Sequence, residues 1–330
     1  MRVSTSEEKG FASETGGERL LTTFRLEDDR GIAIEVLDYG ATLTGVYVPD
    51  KAGRRINVVV RLPTNADYLN DVNDHYVGST LGRFGRCISN AEFWLDGSLH
   101  KLVANAGHHH FHGGLGGFHR KSWHGETRVS RSRAQLCLKL VSPDGDQGYP
   151  GSLLAETTFT LDGLGMLTIE HRAVTTSPTV VGLVNHAFWN LAGEGTVDGH
   201  ALAVNADSVI LTDDELIPLP EPPMALAGTA WDYRKSTDLA GKAIDSFFAL
   251  SGGDWAAVLE HRQSGRCMIV ATDGPGIGVY TGDSYLHPRA GICLQCGPFP
   301  DAPNRPDFPT ARLDPGSVYV QRTRYRFLTT

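Results

Sequence analysis

The chain has 330 residues, 41% hydrophobic and 21% charged, with a net charge of −8 and a pI near 5.9. This is globular composition, long enough for a sizeable core. With no block of Lys or Arg, nucleic acid and anionic membrane surfaces are excluded as expected partners, and no apolar run approaches the roughly 18 residues that a membrane span needs. The opening MRVSTSEEKGFASETGGER lacks the apolar stretch of a secretory signal. It reads as a loose polar tail over residues 1–20, ahead of a single domain over 21–330. Five scattered cysteines suit a reducing cytoplasm better than a disulfide scaffold.

From there strand signals dominate. Short β-branched runs over 32–37, 41–48 and 57–60 are separated by Asp38-Tyr-Gly and Pro49-Asp-Lys-Ala-Gly turns. Residues 66–70 make at most one helical turn. A hairpin is expected around Asp96-Gly97. Runs over 136–141, 154–161, 166–174, 201–204, 209–211, 256–259, 267–271, 278–281 and 318–328 continue the series. No helix beyond single turns is expected. Many short strands punctuated by 38 glycines and 17 prolines argue for an all-β sandwich or barrel. An apolar run, Ile292-Cys293-Leu294, empties into a proline-fixed loop, Pro298 to Pro300, which would hold the Gln295 side chain still at the floor of a pocket.

Several residues have chemistry to offer. The tract Gly107-His-His-His-Phe-His112-Gly-Gly has no ligand spacing on a helix, so an exposed loop with His112 turned inward is preferred to a metal site, and the following glycines permit the tight turn this needs. His186 lies in an apolar strand-like run. A lone histidine there is more often a hydrogen-bonded core residue, but two inward histidines with Asp232 would make an acid/base constellation. Cys293 and Cys296 form a CxxC on a strand, where alternate side chains diverge, so zinc and redox roles are not expected. Arg83 and Arg86 form a Gly-rich arginine turn suited to a carboxylate, a phosphate or hydroxyls, with a surface ion pair as the alternative. Cys87, beside Arg86, is a remote candidate for an activated thiol.

The motifs DYGATL from Asp38, GRF from Gly82, HGG from His112, SPDGDQGYPG from Ser142, Asn185-His186, GTAWD ending at Asp232, YTG from Tyr280 and PDAPN from Pro300 occur in one order. Together they resemble the aldose 1-epimerase (galactose mutarotase) family over nearly the whole chain. The resemblance implies a large antiparallel β-sandwich with a sugar pocket on its concave face. It also implies interconversion of α and β anomers through protonation of the ring oxygen by a histidine and removal of the anomeric hydroxyl proton by a carboxylate. By position, His186 matches the acid, His112 the second pocket histidine, and Asp232 the aspartate that binds hydroxyls. Four positions depart from the pattern. Gln295 stands at the catalytic glutamate, and an amide accepts no proton at neutral pH. Arg86 and Cys87 stand where the family reads Asn-Arg. Gly278 replaces a glutamine before Tyr-Thr-Gly. The pocket is then one unit more positive and is expected to be roomier, which suits a bulkier or anionic cyclic ligand.

The reading from sequence is an enzyme with a rebuilt pocket. His186 and His112 carry acid/base isomerisation, epimerisation or elimination, and Asp232, Arg86, Gln295, Arg83 and Cys87 bind substrate. One alternative is a carbohydrate-binding member without turnover. The other is a conventional mutarotase with a substitute base, His110 or Asp283. The partner is a small sugar-like molecule, no metal or organic cofactor is expected, and a homodimer through an exposed sheet edge stays open.

Overall fold

Residues 153–175 show how this sequence makes its sheets. In Leu153–Asp162 and Met166–Thr175 every second side chain is buried. The antiparallel register Leu153↔Thr175 through Leu161↔Leu167 sets buried residues opposite buried ones, so both strands present one apolar face to the same side. The structure, a computed structural model, describes residues 1–12, 17–70, 75–285 and 287–329.

These two strands belong to a nine-stranded sheet. In spatial order it runs His124–Val129, Arg133–Ser142, Leu153–Asp162, Met166–Thr175, Tyr319–Thr329, Arg266–Thr272, Ala257–His261, His200–Val204 and Thr237–Asp238. A six-stranded sheet is ordered Phe188–Trp189, Ile292–Gly297, Gly276–Tyr280, Asp245–Leu250, Ala206–Ile210 and Met224–Ala225. A five-stranded sheet follows chain order from Arg2–Ala12 to Arg55–Asn57. One apolar cluster joins all three: Leu136, Phe159, Ile169 and Val270 from the first, Phe248, Ile277, Val279 and Leu294 from the second, Leu26, Val36 and Val46 from the third. The result is a β-sandwich, and helical structure among the described residues is confined to short 3₁₀ turns.

The expected strands over 136–141, 154–161 and 166–174 lie inside observed ones, and the run over 318–328 overlaps Tyr319–Thr329 in all but one residue. The hairpin at Asp96-Gly97 joins Glu92–Leu95 to Ser98–Lys101, and both turn residues have positive φ, as a two-residue hairpin turn requires. Two local expectations fail. Residues 2–12 are not a loose tail: they form an antiparallel strand with Gly17–Glu27. Most of that strand is exposed on both faces, so period two could not reveal it. It is held by backbone pairing and by Gly10, where a Cβ would come within 2.6 Å of Leu69. Residues 13–16 of the expected tail lie outside the described residues. The second is one of omission: the sequence reading passed over Gly17–Glu27, His124–Val129 and Asp245–Leu250, the last a strand of the six-stranded sheet.

Candidate functional site

The strand Ile292–Gly297 is buried on both faces. Ile292, Leu294 and Cys296 enter the sandwich core, so Cys293 and Gln295 must face the other way. Cross-strand register extends that outer face into two rows: Phe247, Gly278 and Gln295 lie opposite one another, and Asp245, Tyr280 and Cys293 form the next row. These rows floor a cleft of about 260 Å³, whose wall includes His75, Tyr76, Phe111, His112, His186 and Phe188.

Two loops deliver the histidines. The backbone N–H of His186 donates to Ser79 O and its carbonyl accepts from Gly78 N, both at 2.9 Å. His112 has φ 53° and is followed by Gly113 at φ 93°, where a Cβ would lie 1.9 Å from Gly82 O. Only glycine fits there, and the turn aims His112 inward as the sequence suggested. The two imidazole rings stand 5.2 Å apart, edge to face. Tyr76 packs edge-on against His112 at 4.9 Å, and Phe111 covers the same ring at 3.7 Å. Burial keeps both histidines neutral: His186 is pushed down to about 3 and His112 well below its usual value, and Arg86 disfavours positive charge on both, as His186 does on His112.

Hydrogen-bond partners fix the tautomers. Nδ1 of His112 faces the Gly85 carbonyl at 3.0 Å, so it carries the proton and Nε2 keeps a lone pair. Nδ1 of His186 faces Cys293 Sγ at 3.6 Å. Burial raises the Cys293 pKa well above its ordinary value, so sulfur stays a thiol and donates to Nδ1. His186 then carries its proton on Nε2. The pair thus offers one N–H and one lone pair.

Asp245 was missed by the sequence reading. Among the described residues it is the single carboxylate lining the cleft. Solvent reaches it through the open mouth, yet protein surrounds it on the other sides, and this partial desolvation pushes its pKa up to about 6 against the attraction of Arg86. The strand that carries it reads DSFFAL and does not alternate, so no local pattern marked it.

Arg86 lies across the other row. Its guanidinium donates to Gln295 Oε1 and Gln295 O, each at 2.5 Å, and to Pro298 O at 3.3 Å. It stacks 4.9 Å from the Phe247 ring centre. A Cβ on Gly278 would sit 3.2 Å from its Nη1. The missing side chain at 278 therefore does not simply enlarge the pocket: the guanidinium takes that space. Burial lowers the Arg86 pKa to about 10, which leaves it charged at neutral pH.

Other sequence candidates are placed elsewhere. Arg83 is buried but structural: it donates to Ser142 Oγ, Ser142 O, Pro143 O and Pro150 O at 2.7–2.9 Å, clamping the Ser142–Gly151 loop. Asp232 is chelated by Arg234 at 2.7 and 2.8 Å and does not line the cleft. His110 bridges Val103 O and the Tyr149 hydroxyl. Asp283 is engaged by Thr281 and by Arg289. Neither substitute base suggested by the sequence thus reaches the cleft wall. Cys87 lines the cleft, but its Sγ donates to Leu216 O at 3.1 Å and burial raises its pKa to about 12. Desolvation outweighs Arg86, so the residue is a thiol rather than an activated nucleophile. His108, His109 and Glu215 gather ligand-type atoms within 4.8 Å. His109 Nδ1 accepts from the Asn90 N–H at 3.0 Å, so its proton sits on Nε2, facing Glu215 at 3.3 Å. A protonated nitrogen offers no lone pair to a cation, so this His109 tautomer does not suit a metal ligand.

The cleft on the outer face of the six-stranded sheet thus gathers, among the described residues, two neutral histidines, one carboxylate and one buried guanidinium. The aldose 1-epimerase family model matches residues 22–326. Galactose mutarotase of Bos taurus is 35% identical over 92% of this chain and 93% of its own length. Aldose 1-epimerase of Escherichia coli K12 is 29% identical over 94% and 95%. Among solved structures, galactose 1-epimerase from Lactobacillus acidophilus superposes with a TM-score of 0.87 at 26% identity, covering 99% of both chains. The chain belongs to the aldose 1-epimerase family.

Proposed function

We propose that this protein interconverts the α and β anomers of an aldose, as a conventional aldose 1-epimerase, with Asp245 as the base in place of the carboxylate absent at Gln295. The observation that carries this reading is the convergence of Asp245, His112 and His186 on one cleft. It agrees with the full-length identity to galactose mutarotases better than a remodelled chemistry does.

The step balances within these groups. The Asp245 carboxylate takes the proton of the anomeric hydroxyl. The oxygen's electron pair forms the aldehyde C=O, the bond from the anomeric carbon to the ring oxygen breaks, and the ring oxygen takes the proton from His186 Nε2. Rotation about the bond between the first two carbons and closure on the other face give the second anomer, returning both protons. Asp245, with a pKa of about 6, is ionised at neutral pH and close to the optimum for a general base. His112, whose pKa is far lower, is a weaker base, and its Nε2 lone pair serves to receive a sugar hydroxyl. Tyr280 and Phe188 offer apolar faces for the ring.

The test follows optical rotation of freshly dissolved α-D-galactose and α-D-glucose, and of acidic aldoses alongside them. Acceleration above buffer that disappears in both His186→Ala and Asp245→Asn is expected. Specific binding of these sugars without acceleration of any would replace the enzyme by a non-catalytic binding protein.

A further inference from the structure

We infer that the Arg86 guanidinium is the receptor for an anionic group on the ligand, so that the cleft selects an aldose bearing a carboxylate or phosphate over a neutral hexose. This deepens the epimerase reading and rests on it for the sugar.

The argument starts from a cation without a counter-ion. Arg86 is 6% exposed. Its acceptors are an amide oxygen and two backbone carbonyls; among the described residues no carboxylate forms an ion pair with it. A buried charge is expensive unless it is paired, and proteins seldom keep one with neutral partners alone. Three of its five N–H groups are used. The others belong to Nη1 and Nη2 of a guanidinium that borders the cleft together with Gly278. Phe247 stacks on the guanidinium and Gln295 holds its Nη1 and Nη2, which fixes the cation in place to receive a carboxylate or phosphate.

Asp245 does not fill the role. It belongs to the neighbouring row of the same sheet face, about 7 Å away at 3.3–3.4 Å per strand residue, and makes no ion pair with Arg86. An anion seated on Arg86 would complete the charge of the floor while leaving Asp245 to the anomeric hydroxyl. The neutral amide of Gln295 is part of the same design. A carboxylate at 295 would bind Arg86 itself and close the receptor.

The experiment measures calorimetric affinity and anomer exchange by NMR for D-galacturonate, D-glucuronate and D-glucose 6-phosphate against D-galactose and D-glucose at low ionic strength. Expected is at least about tenfold tighter binding of one acidic class than of its neutral parent, reduced to parity in Arg86→Met and in Gln295→Glu, which keeps the arginine but supplies an internal anion. A preference for uronates marks the carboxylate as the ligand group, and a preference for the phosphate marks that instead. Equal affinity for acidic and neutral sugars in the wild type overturns the inference while leaving the epimerase reading intact if galactose exchange is accelerated. Acidic-sugar binding that survives both substitutions overturns it as well. Arginine-dependent binding with no accelerated exchange for any sugar upholds the receptor and removes the epimerase reading.

Discussion

Arg83 and Arg86 are three residues apart, both buried, and do different work. Arg83 spends its guanidinium on four protein acceptors around the Ser142–Gly151 loop, and Asp146 stands close enough to favour its charge. Four of its five N–H groups are used, and the residue does not line the cleft. Arg86 meets three neutral acceptors and borders the cleft. Burial by itself therefore does not separate a structural arginine from a binding one. The separation comes from whether donors remain unspent and where they point.

Stability measurements break this comparison most directly. Arg83→Met strands three backbone carbonyls and should cost about 3–5 kcal/mol, the scale for removing one partner of a buried charged network. Arg86→Met removes an unpaired buried cation beside water-accessible space and should change stability by about 1 kcal/mol or less. Urea unfolding of the two variants reads the difference, and equal losses would make Arg86 a structural clamp like Arg83.

Turnover gives the next effect. Asp245→Asn should lower kcat/KM for anomer exchange by about 100-fold or more, the usual contribution of a general base. Because the Asp245 side chain makes no ion pair among the described residues, the melting temperature should hold or rise. A rate unchanged in this variant would return the role of base to His112.

The pH dependence sharpens the same assignment. Activity needs Asp245 ionised, so kcat/KM should fall about tenfold per unit as pH drops below about 6. His186, pushed down to about 3, adds no inflection in that range. Stability moves oppositely. The folded carboxyl binds its proton more tightly than the unfolded one, whose pKa is 3.8, so stability falls as pH rises between about 4 and 6. That slope should vanish in Asp245→Asn. The smallest effect belongs to Cys87: with its pKa at about 12, it should react with iodoacetamide at neutral pH more slowly than a free cysteine, as followed by mass spectrometry.

Much of the fold was legible because antiparallel sheets with one buried face write their period into the sequence. Leu153–Asp162 and Met166–Thr175 are clear examples. Where neither face is buried, as over Arg2–Ala12, the signal is absent. Gly113 likewise announced the turn that aims His112, since its positive φ and the close approach of Gly82 O admit no side chain.

The sequence by itself determined the family, the strand periodicity and the two inward histidines, because these rest on local pattern and on motifs in order. Tertiary structure alone decided which carboxylate and which arginine serve the cleft. Asp232 and Asp245 both lie in plausible settings along the chain. Only the alignment of Asp245 with Tyr280 and Cys293 across three strands puts the second in the floor, while a neighbouring arginine claims the first. Arg86 meets Gln295 across 209 residues of chain. Period two says which side chains share a face. Which face borders the cleft depends on pairing between strands far apart in sequence, and no local pattern carries that information.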